Sequence, residues 1–221
     1  AEKDSRTTIN PDEAFFKTSK KLQRRNVKLD EVKISPNGRY IAYTTSEIGK
    51  HLVYIFDTQE NKKQVILRNG FKSHSLAFND NYPLLAWDHK SEQLAVVYER
   101  RDQIKFLFYN IADRTKTFTN DITKFQQVTG IAFTNDPNKM VFSAVQNGQP
   151  DIFMYYVPNT KVTRITDDCY SDLQPGYIKL QDKEGILFIS NRNNDTLKTE
   201  KMDTILPLRN FDVYFYDLKP S

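Results

Sequence analysis

Residues 128–166 read VTGIAF, TNDPN, KMVFSAV, QNGQP, DIFMYYV, PNT and KVTRIT. Four short runs rich in Val, Ile, Phe, Tyr or Thr alternate with turn segments. Runs this short and this β-branched read as strands rather than helices. The turns supply Asn, Asp, Pro and Gly, which hold the backbone conformations that tight turns need. The stretch is therefore read as one four-stranded antiparallel meander.

The same unit recurs on both sides. Upstream, LDEVKI (29–34), the turn SPNG, RYIAYTT (39–45), HLVYIFD (51–57) and KKQVILR (62–68) form a first repeat. After the lead-in FKSHSLAFNDNY (71–82), a second contains PLLAW (83–87), QLAVVYE (93–99), KFLFYNI (105–111) and RTKTFTN (114–120). Downstream, a fourth has PGYIKL (175–180), GILFISN (185–191) and FDVYFYDL (211–218), and the chain stops before a fourth strand. Ile41, Leu94, Met140 and Ile186 open the second strand of each repeat, at intervals of 53, 46 and 46 residues. Val53, Phe106, Ile152 and Val213 match in the third strand, and the last interval there is 61, so an insertion lies inside the fourth repeat. Four-stranded repeats of 40–50 residues are the signature of β-propeller blades.

The fold class is therefore all-β. Residues 1–28 form a basic N-terminal extension. The four blades run from about 29–74, 75–127, 128–173 and 174–221. A lone four-stranded sheet buries neither face, whereas blades stacked round an axis bury both. This accounts for strands that are apolar almost throughout, such as IFMYYV, rather than alternating cleanly. It also assigns Trp87 and most of the 12 Tyr and 15 Phe to interblade packing rather than base stacking. Ile41, Ala42, Leu94, Ala95, Met140, Val141, Ile186 and Leu187 are expected to be buried. Four blades rarely close a ring, so the expectation is an open arc completed by further blades of the parent protein or covered by a partner.

Composition narrows the function. With 38% hydrophobic and 27% charged residues the chain can bury a core. A net charge of +4 does not argue for nucleic acid, and none is expected as a partner. The single cysteine, Cys169, excludes an internal disulfide framework. No run approaches the roughly 18 apolar residues of a membrane helix, so no transmembrane segment is expected. The chain opens on Ala1 without an initiator Met or signal peptide, and reads as processed or as part of a longer protein. Asn10, Pro11 and Glu13 look like a helix start, with a short helix through about Leu22. Lys17, Lys20, Lys21, Arg24, Arg25 and Lys28 follow, a patch for an acidic partner or a solvated tail.

No catalytic constellation is visible. The nucleophile elbow G-x-S-x-G is absent. His51, His74 and His89 show no metal spacing, and Cys169 has neither a second Cys nor a Cys–His signature. No glycine-rich phosphate loop occurs. Asp167, Asp168 and Asp172 cluster in TDDCYSD, but their spacing fits no calcium loop of the EF-hand type. No cofactor and no metal are expected. The insertion 192–209 is polar with an apolar knot at Ile205-Leu206-Pro207-Leu208. Propeller loops are where binding resides. Arg192, Asn193, Ile205, Leu206, Leu208 and Arg209 are therefore the expected partner-binding residues.

Ser35-Pro36-Asn37-Gly38-Arg39-Tyr40-Ile41-Ala42-Tyr43 resembles the S-P-D-G-x-x-I-A-F core of WD40-like (PD40), TolB-type propeller repeats. Asp151-Ile152-Phe153 with Val162-Thr163-Arg164-Ile165-Thr166 is similar to the D-I-Y and r-x-L-T that complete the pattern, and Ser190-Asn191-Arg192 resembles its S-N-R. Residues 88–91 and 135–138 depart from S-P-D-G, in turns that Asp and Asn can still make. PLLAW, SAVQNGQPDIF, ITDDCYSDLQP and FISNRNNDTL look most like long TolB-like envelope proteins of Bacteroidetes. The resemblance implies a non-catalytic protein–protein interaction scaffold in the periplasm or cell envelope of a Gram-negative bacterium, with other envelope proteins as partners. The same propellers also serve as gating portions of prolyl-oligopeptidase and dipeptidyl-peptidase enzymes, whose catalytic domain would lie outside this chain. Fold alone does not decide between these readings.

Overall fold

A computed structural model of the chain describes residues 27–47, 50–70, 81–181, 183–192 and 210–218. The expected N-terminal helix and basic patch up to Arg25, and residues 193–209 of the insertion, lie outside the described residues. Fifteen strands and no helix occur among the described residues. Blade 1 is β1 (Lys28–Ile34), β2 (Tyr40–Glu47), β3 (Lys50–Asp57) and β4 (Lys62–Gly70). Blade 2 is β5 (Leu84–Trp87), β6 (Gln93–Arg100), β7 (Gln103–Asn110) and β8 (Thr115–Ile122). Blade 3 is β9 (Gln127–Phe133), β10 (Lys139–Gln146), β11 (Gln149–Tyr156) and β12 (Lys161–Arg164). Blade 4 has β13 (Asp172–Lys179), β14 (Glu184–Ser190) and β15 (Asp212–Asp217). Each blade is a sheet of its own, with strands paired antiparallel in chain order. The expected propeller architecture is what the chain forms, and the last blade carries three strands among the described residues.

The turns work by local hydrogen bonding. In SPNG, Gly38 N–H donates to Ser35 O (2.8 Å), and Ser35 Oγ accepts from Tyr40 N–H (2.9 Å). Gly38 sits at φ +72°, a region where a Cβ is strained. In blade 2 the same place is taken by Asp88, whose Oδ1 accepts from the N–H groups of Glu92 (2.8 Å) and Gln93 (2.9 Å). In blade 3, Thr134 Oγ1 accepts from Asp136 N–H at 3.1 Å. Three different side chains thus cap the same turn, which is why the departures from S-P-D-G leave the fold intact. At the other end of blade 3, Asn147 and Gly148 hold φ of 60° and 93° in a two-residue hairpin between Gln146 and Gln149. Asn-Gly is the pair that tolerates positive φ at both central positions.

Antiparallel order puts the β1–β2, β5–β6, β9–β10 and β13–β14 turns at one end of their blades. Asn37 N–H donates to Ser91 Oγ at 3.0 Å, so the first two of these turns touch. The insertion leaves β14 at the opposite end: Ser190 pairs with Asp212, whereas the β13–β14 turn lies beside Lys179 and Glu184.

Three apolar cores fill the spaces between neighbouring blades. Ala42, Val53, Ile55 and Leu67 of blade 1 meet Leu85, Leu94, Val96 and Leu107 of blade 2. Ala95, Val97, Phe106 and Phe108 of blade 2 meet Met140, Phe142, Phe153 and Tyr155 of blade 3. Val141, Ile152 and Met154 of blade 3 meet Ile186 and Phe188 of blade 4. Aromatic rings make up much of the middle core, where Phe106 lies edge-on to Phe108, Phe142 and Tyr155. Polar bonds join the inner strands. Leu85 N–H donates to Glu31 Oε2 (3.0 Å), Trp87 Nε1–H to Lys33 O (2.9 Å), and Val128 N–H to Tyr82 Oη (2.8 Å). Gly130 in β9 is required by close approach, because a Cβ there would lie 2.6 Å from the Pro175 ring of β13.

Each blade has a leading face toward the preceding blade and a trailing face toward the next. Leu94, Met140 and Ile186 lie on leading faces, and all three are fully buried. Ala42, Ala95 and Val141 lie on trailing faces and are equally buried. Ile41 and Leu187 depart from the expected burial and remain partly exposed. Ile41 is on the leading face of the first blade and Leu187 on the trailing face of the last. Among the described residues, neither has a blade beyond it.

Candidate functional site: a buried aspartate–arginine cluster at the root of the insertion

The motifs D-I-F, T-R-I-T, D-D-C-Y-S-D and S-N-R converge where blade 3 hands over to blade 4. Asp151 begins the second half of the β10–β11 hairpin and is fully buried. Arg164 at the end of β12 donates Nη2–H to Asp151 Oδ2 at 2.5 Å, and its other amino group pairs with the exposed Asp167 at 2.6 Å. Thr166 Oγ1 accepts from Ile152 N–H at 2.9 Å, which ties the end of the repeat to its third strand. The sequence pattern is therefore a folding device: aspartate, arginine and threonine close one blade.

Arg192 closes the next step. Its Nη2 reaches both carboxylate oxygens of Asp172 (2.8 and 2.7 Å) and stands 3.1 Å from Asp168 Oδ2. Its Nε–H donates to Ser190 Oγ at 3.0 Å. The guanidinium also lies over the rings of Phe188, Tyr214 and Tyr170, at 5.3, 5.4 and 5.9 Å. Tyr214 Oη–H donates to the Arg192 carbonyl at 3.0 Å, and Ser171 N–H to Asn191 Oδ1 at 2.8 Å. Blades 3 and 4 are stitched together at the same place by Ser143 Oγ–H donating to Asp172 O at 2.6 Å.

Arg192 is thus only 3% exposed. The side chain lies inside the network at this position, where it anchors the point from which the insertion departs. Asn193, Ile205, Leu206, Leu208 and Arg209 lie outside the described residues. Of the three clustered acids, Asp168 and Asp172 do come together, joined by Asp151, with carboxylate oxygens within 4.8 Å of one another. Asp167 points away, toward Arg164. Two guanidinium groups thus face three buried carboxylates, and the cluster is an internal ion-pair network.

Three carboxylates so close together repel one another. Burial, with repulsion from Asp172 and Asp168, lifts the Asp151 carboxyl to about 6, against the opposing effect of Arg164. Burial lifts Asp168 as well. A carboxyl with a raised folded-state pKa binds its proton more tightly in the folded protein than in the unfolded chain. Its protonation therefore stabilises the fold as pH falls through about 6, and the benefit is lost as pH rises again. Denaturant midpoints measured at pH 7 and pH 5 should rise on acidification, and Asp151→Asn should flatten that rise. An unchanged slope in the variant would show that Asp151 is not the titrating group.

A concavity lies between blades 1 and 2. It encloses about 650 Å³ and is lined by Arg39, Tyr40, Asp57, Glu60, Lys63 and Tyr109 among others. Arg39 binds Asp57 through Nη2 at 2.7 Å, and Gln64 Nε2–H donates to Tyr109 Oη at 2.6 Å. The groups that line it come from repeats some 50 residues apart, and single-sequence reading has no signal for such a pairing.

The geometry can be set beside known proteins. No protein-family model and no curated protein matches the sequence. Solved structures do match the fold. A protein assigned as TolB in Agrobacterium tumefaciens aligns over 85% of this chain and 61% of its own, with 18% identity and a TM-score of 0.59. TolB from Acinetobacter baumannii aligns over 72% and 40%, with 14% identity and a TM-score of 0.52. The β-propeller domain of the trilobed protease from Pyrococcus furiosus aligns over 86% and 54%, with 10% identity and a TM-score of 0.53. The fold is a TolB-like β-propeller. At these identities the likeness concerns fold alone, and the chain spans less than two thirds of each of these structures.

Proposed function

We propose that this chain is part of a non-catalytic scaffold that binds other proteins in a bacterial cell envelope. The observation that carries the reading is the S-N-R and D-D-C-Y-S-D network. Its buried members Asp168, Asp172 and Arg192 hold blade 4 and the root of an 18-residue insertion. A rigid propeller with a long loop fixed at one end suits display to a protein partner. The TolB-like fold and the TolB-type motifs support the envelope assignment, and the apolar knot Ile205-Leu206-Pro207-Leu208 is the proposed contact. No helix among the described residues is long and apolar enough to cross a membrane.

A second reading, a propeller portion of a peptidase, is favoured by the likeness to the trilobed protease propeller and, at a TM-score of 0.50 and 13% identity, to the tricorn protease. Pull-down from source membranes with the intact protein as bait, alongside labelling with a fluorophosphonate probe, separates the two. Recovery of envelope proteins that is lost on Leu206→Asp, with no serine labelling, is the expected result. Covalent labelling of the intact protein would instead assign it to the peptidases.

A further inference from the structure

The concavity between blades 1 and 2 is lined by the turn that joins β3 to β4 and the turn that joins β7 to β8. Four cations, Arg39, Lys62, Lys63 and Arg114, line it against two carboxylates, Asp57 and Glu60. Arg39 engages Asp57, with Nε at 3.1 Å and Nη2 at 2.7 Å from Oδ2. Glu60 is shared: Lys62 Nζ stands at 3.1 Å from its carboxylate, Arg39 Nη2 at 3.6 Å and Arg114 Nη2 at 3.9 Å. The lining therefore carries two positive charges in excess. The side chains of Lys62 and Arg114 are 72% and 64% exposed, so an incoming anion meets them at little cost in desolvation. A cleft lined by an excess of one sign concentrates ligands of the other.

The neighbouring gap, between blades 2 and 3, is built on the same places with different charges. Arg39 precedes Tyr40, which pairs with Asp57, and Glu92 precedes Gln93, which pairs with Asn110. By the same register Lys62 corresponds to Thr115, and Arg114 to Thr160. The places of Arg39, Lys62 and Arg114 are thus held by Glu92, Thr115 and Thr160, and blades 2 and 3 still pack through a full apolar core. Joining two blades does not require the cations, which leaves them for a ligand. We propose that the gap between blades 1 and 2 binds an acidic peptide segment of a partner protein. The site rests on the reading of the chain as a protein-binding module, but not on the insertion. The cations come from three separate segments, around Arg39, Lys62 and Arg114, so carboxylates spaced along a peptide can meet them one at a time. A compact phosphate would instead concentrate its charge beside Asp57 and Glu60. The lining also includes Ile55, Tyr109 and Tyr40, the last stacked on Trp87, an apolar surface for the methylene groups between those carboxylates.

Fluorescence anisotropy with a labelled pentaglutamate peptide tests this on the intact protein, with pentaglutamine as the neutral counterpart. Pentaglutamate is expected to bind, more weakly as salt rises, and pentaglutamine to leave the anisotropy unchanged. Trp87, the one tryptophan of the chain, lies against Tyr40, so unlabelled pentaglutamate should also alter its emission. The double variant Lys62→Glu with Arg114→Glu should bind at least about tenfold more weakly. Both side chains are largely in solvent, so its circular dichroism and melting should match the wild type. Lys161→Glu with Lys179→Glu makes the same change in net charge at exposed places on blades 3 and 4, and should keep the wild-type affinity. Leu206→Asp should keep it too, so loss of envelope proteins from the pull-down and loss of peptide binding are separate results. No binding of pentaglutamate would overturn the proposal. An equal loss in the Lys161 and Lys179 variant would also overturn it, since net charge alone would then explain the binding. Tripolyphosphate that binds more tightly than pentaglutamate, with the same dependence on Lys62 and Arg114, would replace the acidic peptide by a phosphate ligand.

Discussion

Replacing Arg192 by methionine is expected to lower the stability of the folded chain by about 3–5 kcal/mol at pH 7. The side chain is of similar length, so little packing is lost. What is lost is the cation that faces Asp168 and Asp172, both buried. The nearest alternative, Arg164, is already engaged by Asp151 and Asp167. Two carboxylates would then share a site without a counter-charge, and removing one partner of a buried pair costs far more than the pair contributes. The aromatic faces of Phe188, Tyr170 and Tyr214 would also lose their cation. Denaturant unfolding measures the loss, and adding Asp172→Asn to Arg192→Met should recover part of it. A change below about 1 kcal/mol would mean that water reaches the cluster and the network is not buried.

Truncating Ile186 to alanine should cost about 2–5 kcal/mol, and truncating Ile41 to alanine less than half as much. The two residues hold the same place in their repeats. Ile186 is packed between Val141, Ile152 and Met154 of blade 3, and its removal leaves a cavity between blades. Ile41 faces outward from blade 1 beside Ile34 and Phe56, where the surroundings are open and less transfer energy is at stake. Equal losses at both positions would show that the leading face of blade 1 is as fully covered as the others.

This contrast also marks how far the sequence alone could be read. The recurrence of Ile41, Leu94, Met140 and Ile186 carried the strands, the turns and the blade count, because short β-branched and aromatic runs and turn residues are local signals. Burial at blade ends was not legible. Ile41 and Leu187 sit in apolar strands like their counterparts, and only the neighbour on one side decides their exposure. The site was legible in part. The TDDCYSD acids and the S-N-R motif were visible as patterns, but long-range geometry alone shows that Arg192 turns inward to Asp172, 20 residues away. A charged residue at the start of a polar insertion reads as exposed, and here a cage of Asp, Tyr and Phe side chains draws it in.

The central claim is four blades held by three interblade cores, whose first leading face and last trailing face meet no further blade among the described residues. Native-state amide hydrogen exchange tests it most directly. Amides of β6, β7, β10 and β11, which lie between cores, should exchange only through global unfolding, whereas those of β1 and β15 should exchange through local opening at far lower free energy. Uniform, global-unfolding protection across all four blades would contradict the account and show a ring already closed on itself.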